Sequence, residues 1–268
     1  MSKPLLRPDS AFYISLSLLG ATYLLLIVAM LVADLFFTTP DHLLDALKSP
    51  EIKYAIQLSL ISCSITAILS LWVGVPLGYL LARTQFWGKG IVDTLLDIPI
   101  VLPPLVIGLS LLILFQTTIG KFFENNILAV TYAVPSVILA QFSVAAAFAV
   151  RTMRVTFEQI SPRAEQVAMT LGCTRAQAFW RVTMPEARRG LLTAFTLSWA
   201  RSLGEFGPIL IFSGATRLRT EVLPTTVFLE LSVGKIEAAI AVSLLMIAVA
   251  VIVLILTRTL GLRGTGVV

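Results

Sequence analysis

Six stretches of the chain are apolar enough, over enough residues, to cross a bilayer: 12–36, 55–82, 92–115, 128–150, 191–213 and 238–257. A spanning helix needs about 20 mainly apolar residues. Lipid offers no partner to a free backbone amide or carbonyl, so each stretch must be helical, or lined by protein wherever its helix breaks. A soluble core cannot absorb this much apolar surface. Of the 268 residues, 57% are hydrophobic and 13% charged, whereas a soluble domain carries about a quarter charged. The expected fold class is an all-α integral membrane protein with six transmembrane helices.

The first stretch is too long for the apolar part of a secretory signal, which runs to about 7–15 residues. It is expected to persist as a first span. The net charge of +5 does not point to nucleic acid, because the charges occupy short connections between apolar stretches, where they set orientation. With the N-terminus in the cytoplasm, 13 Lys and Arg fall in cytoplasmic segments and 6 in outer ones, leaving Arg201 within a span. Both termini are therefore expected in the cytoplasm of a multi-pass protein of the cell membrane. Cys63 lies in a span and Cys173 in a connection, without metal-type spacing, so a metal site is not expected. In the first outer connection, Thr39 and Pro40 can open a short amphipathic helix carrying Leu43, Leu44 and Leu47.

The most polar connection, 151–190, has internal order. Ser161-Pro162 supplies a capping side chain and a proline for the first helical position. Gly172 stands where a helix end calls for positive φ. Thr174 and Gln177 have the spacing of a capping box, and Pro185 is expected to end the second helix. Helix, glycine turn and helix make an elbow. Its apolar residues can pack upon each other or fill a groove in a partner.

Two spans carry features that lipid alone would not favour. The third holds Asp97, Pro99, Pro103 and Pro104; the prolines remove backbone donors and bend the helix. The fifth holds Ser198, Arg201, Ser202, Gly204, Glu205, Gly207 and Pro208. Arg201 and Glu205 share a helical face, and charges within a membrane pair or face a cavity. A packed kink with a structural ion pair and a pore-facing segment that bends during gating are both compatible with these residues.

The elbow resembles the EAA loop of importer permeases of the ATP-binding cassette (ABC) superfamily. The matching positions are Gln166, Val167 and Ala168, then Gly172, then Val182 to Pro185. Gln166 and Val167 depart from the family's Glu-Ala, and Glu165 offers a carboxylate one position earlier. IPIVLPPLVIGLSLL and ARSLGEFGPILIFSG further resemble segments of molybdate, tungstate and sulfate permeases. The resemblance implies a type I ABC permease fold. It implies first a segment 1–54 with the cytoplasmic N-terminus, first span and outer loop. A five-helix core, 55–260, follows and contains the coupling loop 151–190, and a short tail, 261–268, comes last.

It also implies a function. The coupling loop, with Glu165, Gln166, Ala168, Gly172, Val182 and Pro185, would dock on an ATPase subunit. Asp97, Pro103, Pro104, Ser198, Arg201, Ser202, Gly204, Glu205 and Gly207 are the candidates for pathway or gate. Implied partners are the ATPase subunits, an extracytoplasmic binding protein, and a second permease subunit, identical or related. The implied cargo is a tetrahedral oxyanion, molybdate or tungstate first and sulfate or thiosulfate as the alternative. The chain has no phosphate-cradling G-x-x-x-x-G-K-[ST] sequence, so ATP and Mg would be bound by the partner. Two other functions compete with this one. A stand-alone secondary transporter would draw on Asp97 and Glu205 for its coupling ion. An intramembrane enzyme is disfavoured, because the sole histidine, His42, lies outside the spans and no catalytic residue can be assigned.

Overall fold

A computed structural model describes residues 10–263, and every regular element among them is helical. Residues 1–9 and 264–268, which the sequence assigns to the cytoplasmic N-terminus and tail, lie outside the described residues.

The chain begins with α1 (Ser10–Phe37), a short α2 (Pro40–Lys48) and the long α3 (Pro50–Arg83). α4 (Lys89–Val101), α5 (Pro104–Gln116) and α6 (Thr118–Asn126) follow. α7 (Val134–Gln159) leads into α8 (Pro162–Thr170), α9 (Arg175–Ala178), a π-helical turn (Phe179–Thr183) and α10 (Met184–Glu186). The remaining helices are α11 (Arg188–Leu203), α12 (Gly207–Phe212), α13 (Leu223–Ser232) and α14 (Ile236–Arg263).

Four of these helices, α1, α3, α7 and α14, are long and apolar enough to cross a membrane, and α4 with α5 adds a fifth crossing if the bent pair counts as one. Two of the six expected spans are not continuous helices. α4 and α5 diverge by 112°. Each has 13 residues, about 20 Å of helix, against a hydrocarbon core of about 30 Å. The cause is local. A proline pushes the residue before it into extended backbone, and Leu102 and Pro103 both precede one, with ψ of 140° and 133°. Pro104 then opens α5 at a position where its missing N–H is not needed. The other is the fifth stretch, which breaks between Leu203 and Gly207 into α11, with 16 residues, and α12, with 6. The fourth span also begins later than its hydropathy indicates, at Val134.

α3, α7 and α11 pack together as the centre of the bundle. α3 lies directly on α7: a Cβ on Gly78 would come within 2.8 Å of both the Met153 Cβ and the Arg154 nitrogen. Small residues permit such close approach of helix backbones in membranes. α1 stands outside this core. None of its most apolar 18-residue window is buried, against 50% for α7, so its apolar surface is left for lipid to cover. α2 forms where Thr39-Pro40 predicts it, with Leu43 packed against the core. The connection 215–237 is packed in its middle, while 216–219 and 231–237 are exposed. Thr220, Glu221, Val222 and Leu223 are buried, and α13 lies against α14 and α3.

Candidate functional site

The elbow between α7 and α11 is built from local hydrogen-bond rules. The Ser161 hydroxyl accepts from the Arg163 N–H at 3.4 Å, and Pro162 opens α8. α8 ends in a Schellman motif: the Cys173 N–H reaches the Ala168 carbonyl at 3.1 Å and the Gly172 N–H that of Met169 at 3.0 Å. Gly172 has φ +92°, a conformation that disfavours any side chain. The capping box is complete. The Gln177 N–H donates to Thr174 Oγ1 at 3.2 Å, and the Thr174 N–H donates to Gln177 Oε1 at 2.9 Å.

Pro185 does not end the second helix. The π-helical turn from Phe179 to Thr183 widens the ladder just before it, and helix resumes through Met184–Glu186. A turn of that kind absorbs the donor that proline lacks. The Ala187 N–H then bonds the Thr183 carbonyl at 2.8 Å, so the elbow runs into α11 almost without a break.

The elbow's residues divide between two directions. Gln166, Gly172 and Pro185 are exposed, and Ala168 and Val182 are half-buried. Leu171 is 81% exposed, Trp180 65% and Val167 57%. These apolar side chains lie on a polar segment, so their exposure marks a contact surface. Glu165 points the other way and is buried. Tyr79 Oη donates to its Oε2 at 2.8 Å, and Thr183 Oγ1 to its Oε1, also at 2.8 Å. Arg83 Nε donates to Oε1 at 3.3 Å, while Arg83 Nη2 holds the Ile160 carbonyl at 2.8 Å. Neither Tyr79 nor Arg83 was singled out in the sequence. They are remote from the elbow in the chain, and only their spacing of one helical turn hinted at a shared face.

The two proline- and glycine-containing breaks meet each other. A Cβ on Gly207 would lie 2.9 Å from the Pro104 Cβ, and one on Gly108 would lie 2.7 Å from the Pro208 Cα. α5 and α12 therefore pack backbone to backbone. Pro103 and Pro104 are exposed, as is Gly204, while Gly207 is buried.

The charged candidates are paired. Arg201 Nη1 lies 2.6 Å from Glu205 Oε2, with Glu205 buried, and the Arg201 guanidinium sits 6.0 Å from the centre of the Phe148 ring. Asp97 is bound by Arg151, whose Nε donates to Oδ1 at 2.6 Å. One turn away, Arg154 pairs with Asp93 at 2.5 Å. These two pairs clamp the half-span α4 against α7.

Ser198 and Ser202 are buried and spend their hydroxyls on the protein. Ser202 Oγ donates to the Ser198 carbonyl at 2.8 Å, and Ser198 Oγ to the Ala145 carbonyl at 3.4 Å. Gln141, unmarked in the sequence, joins the three central helices. Its Nε2 reaches the Ser202 carbonyl at 3.3 Å, and Thr66 Oγ1 donates to its Oε1 at 3.1 Å. Ser59 accepts from the Leu223 N–H at 2.9 Å, and Ser64 from Trp199 Nε1 at 3.3 Å. Ser59, Ser64, Thr66 and Ser198 thus bond between helices, and Ser202 bonds within α11.

Residues 74–263 match the family described as "Binding-protein-dependent transport system inner membrane component". The chain is 32% identical over 222 residues to the sulfate transport system permease protein CysT of Salmonella typhimurium, covering 82% of this chain and 80% of that one. It is 33% identical over 209 residues to the molybdate/tungstate transport system permease protein WtpB of Thermococcus kodakarensis, covering 77% and 79%. A third relative is the molybdenum transport system permease protein ModB of Mycobacterium bovis, 33% identical over 199 residues, covering 74% and 75%. Among solved structures, a bacterial alginate ABC transporter bound to its alginate-loaded periplasmic protein contains a chain with the same fold. Its TM-score is 0.77 at 17% identity, with 97% of this chain and 96% of that one covered.

Proposed function

The chain belongs to the family of binding-protein-dependent transport system inner membrane components, and from that premise we propose that it forms the route for a tetrahedral oxyanion. The family makes it the permease subunit of an ABC importer, a multi-pass inner-membrane protein that is not itself an enzyme. ATP hydrolysis takes place on a separate ATPase.

The proposed cargo is molybdate or tungstate, with sulfate or thiosulfate as the alternative. The names of the relatives divide between these anions. A tetrahedral dianion is common to both.

The observation that carries the mechanism is the elbow's outward face. Val167, Leu171 and Trp180 stand exposed on a segment whose backbone is fixed by a glycine turn and a capping box. Such a face fits a groove in the ATPase. ATP and Mg bound by paired ATPase subunits would draw two elbows together, and the permease would act as a pair around a twofold axis, identical or related. The elbow and both termini would lie on the cytoplasmic side. The binding protein would deliver the anion at the opposite side.

The gate would lie where α5 meets α12. Both helices begin at breaks, and their contact is made by glycine against proline. A pair of half-helices can shift at such a junction without tearing a continuous hydrogen-bond ladder. Asp97 with Arg151 and Arg201 with Glu205 would hold the half-helices in shape. Ion coupling by this chain alone has less support, because each of its two candidate acids already faces an arginine.

The test is uptake into proteoliposomes holding this chain, its ATPase and its binding protein, offered molybdate, tungstate and sulfate in turn. ATP-dependent uptake of molybdate or tungstate ahead of sulfate is expected. ATP-dependent assembly that moves none of the three would overturn the oxyanion assignment.

A further inference from the structure

We propose that Glu165 is a tether that passes the elbow's movement to α3, acting through Tyr79, Arg83 and Thr183; this rests on the reading of the elbow as the segment that docks on the ATPase. The carboxylate is buried although its neighbours Gln166 and Val167 are exposed. It receives three donors from two directions: Tyr79 and Arg83 from the last turns of α3, and Thr183 from the π-helical turn. Hydrogen bonds to an ionised carboxylate are about twice as strong as neutral ones. Breaking them would leave a buried charge without partners.

The covalent connection is the looser one. α8 joins α7 through Ile160 and Ser161, both in extended backbone, and two such residues can act as a hinge. The tie to α3 is closed by packing as well. The Tyr79 ring meets Phe157 edge-on at 5.5 Å and Phe179 at 4.7 Å between centroids. Phe179 belongs to the π-helical turn and Phe157 to α7, so displacement of the elbow is passed directly to α3 and, through the α3–α7 packing, to α7.

α3 reaches from the elbow to the opposite end of the bundle. Its 34 residues span about 50 Å. Near its start, Tyr54 Oη donates to the Arg219 carbonyl at 2.9 Å, and Ser59 Oγ accepts from the Leu223 N–H. Arg219 lies in the connection between α12 and α13, and Leu223 opens α13. A push at the elbow would thus reach the far mouth along one continuous helix, which carries Pro76 within it, and Glu165 is its point of attachment. It is a positioning residue: it touches neither ATP nor cargo.

The experiment removes donors and leaves the elbow's outer face unchanged. The double variant Tyr79→Phe/Thr183→Val keeps the shape of both side chains and takes two hydroxyls from Glu165. The complete complex, with ATPase and binding protein, is reconstituted, and anion uptake and ATP hydrolysis are measured together. Hydrolysis within about two-fold of wild type is expected, with uptake per ATP lower by about five- to ten-fold. Tyr79→Phe/Thr183→Ser, which keeps a hydroxyl at position 183 where the first variant has none, should return the ratio toward wild type. An unchanged ratio, with both rates equal to wild type or falling in parallel, would overturn the proposal.

A second measurement does not depend on uptake. Cys173 lies at the turn of the elbow and Cys63 is buried in the bundle, so maleimide labelling of the otherwise native chain reads the elbow. Labelling several-fold faster in the double variant is expected; an equal rate would overturn the tether. Wild-type complex without ATP-driven uptake would instead count against the transport reading, and the labelling rate would then decide the tether by itself.

Discussion

Gly207 and Pro104 touch at the junction of two broken helices: a Cβ on the glycine would stand 2.9 Å from the proline's Cβ and 3.0 Å from the Leu105 nitrogen. Real side chains do not approach so closely, so Gly207→Ala must push α12 away from α5. The expected loss is about 1–3 kcal/mol of stability, together with impaired transport. Gly204→Ala is the control, because its nearest neighbours would lie 3.9 Å away. Thermal melts in detergent should separate the two variants, and equal melting temperatures would contradict the close packing.

Gly172→Ala places a side chain at φ +92° and should strain the elbow by about 1 kcal/mol. Space is not the problem, since a Cβ there meets nothing within 4 Å. Leu171→Glu keeps the backbone and changes only the exposed face. Both variants should lose ATPase on co-purification, Leu171→Glu with an unchanged melting temperature. Full retention of ATPase by Leu171→Glu would contradict the docking face.

Arg201 and Glu205 should behave as a unit. Glu205 is buried with Arg201 2.6 Å away. Arg201→Ala leaves that carboxylate without its counter-charge and is expected to destabilise the fold by about 2–4 kcal/mol. Arg201→Met combined with Glu205→Gln should lose less than Arg201→Ala alone. Additive losses in a double-mutant cycle would argue that the pair is uncoupled.

Glu221 predicts a pH effect. It lies in the connection between α12 and α13, fully buried, and burial pushes its carboxyl above the usual range. A raised carboxyl means that the folded protein holds a proton that the unfolded chain releases. Stability should therefore fall as pH rises from the ordinary carboxylate pKa toward the raised one. Glu221→Gln should match wild type near pH 4 and exceed it at pH 8, as measured by thermal unfolding at both values. A variant less stable than wild type at pH 8 would contradict this.

Much of the fold is legible because hydropathy reports burial in lipid or protein directly. The first and last spans, α1 and α14, fall where their apolar runs lie. The same measure cannot see direction, so the third stretch reads as one span although Leu102 and Pro103 turn it by 112°. The prolines signal a bend, but not its size, which depends on Leu102 and Pro103 both taking extended backbone in succession. The elbow's caps were legible because capping is local: Ser161, Gly172, Thr174 and Gln177 all act within a few residues. Glu165 was not. Its partners Tyr79 and Arg83 lie 86 and 82 residues away, and long-range pairing leaves no mark in a single sequence. The same holds for Glu230, which is buried in an ion pair with Arg217 at 2.7 Å, 13 residues away.

The most direct test of the central claim is radiolabelled oxyanion uptake by proteoliposomes, with ATP inside and binding protein outside, compared with vesicles holding this chain alone. Uptake only when ATP, ATPase, binding protein and permease are all present, and abolished by Leu171→Glu, is the predicted result. Uptake by the chain alone, driven by an ion gradient and indifferent to ATP, would contradict it.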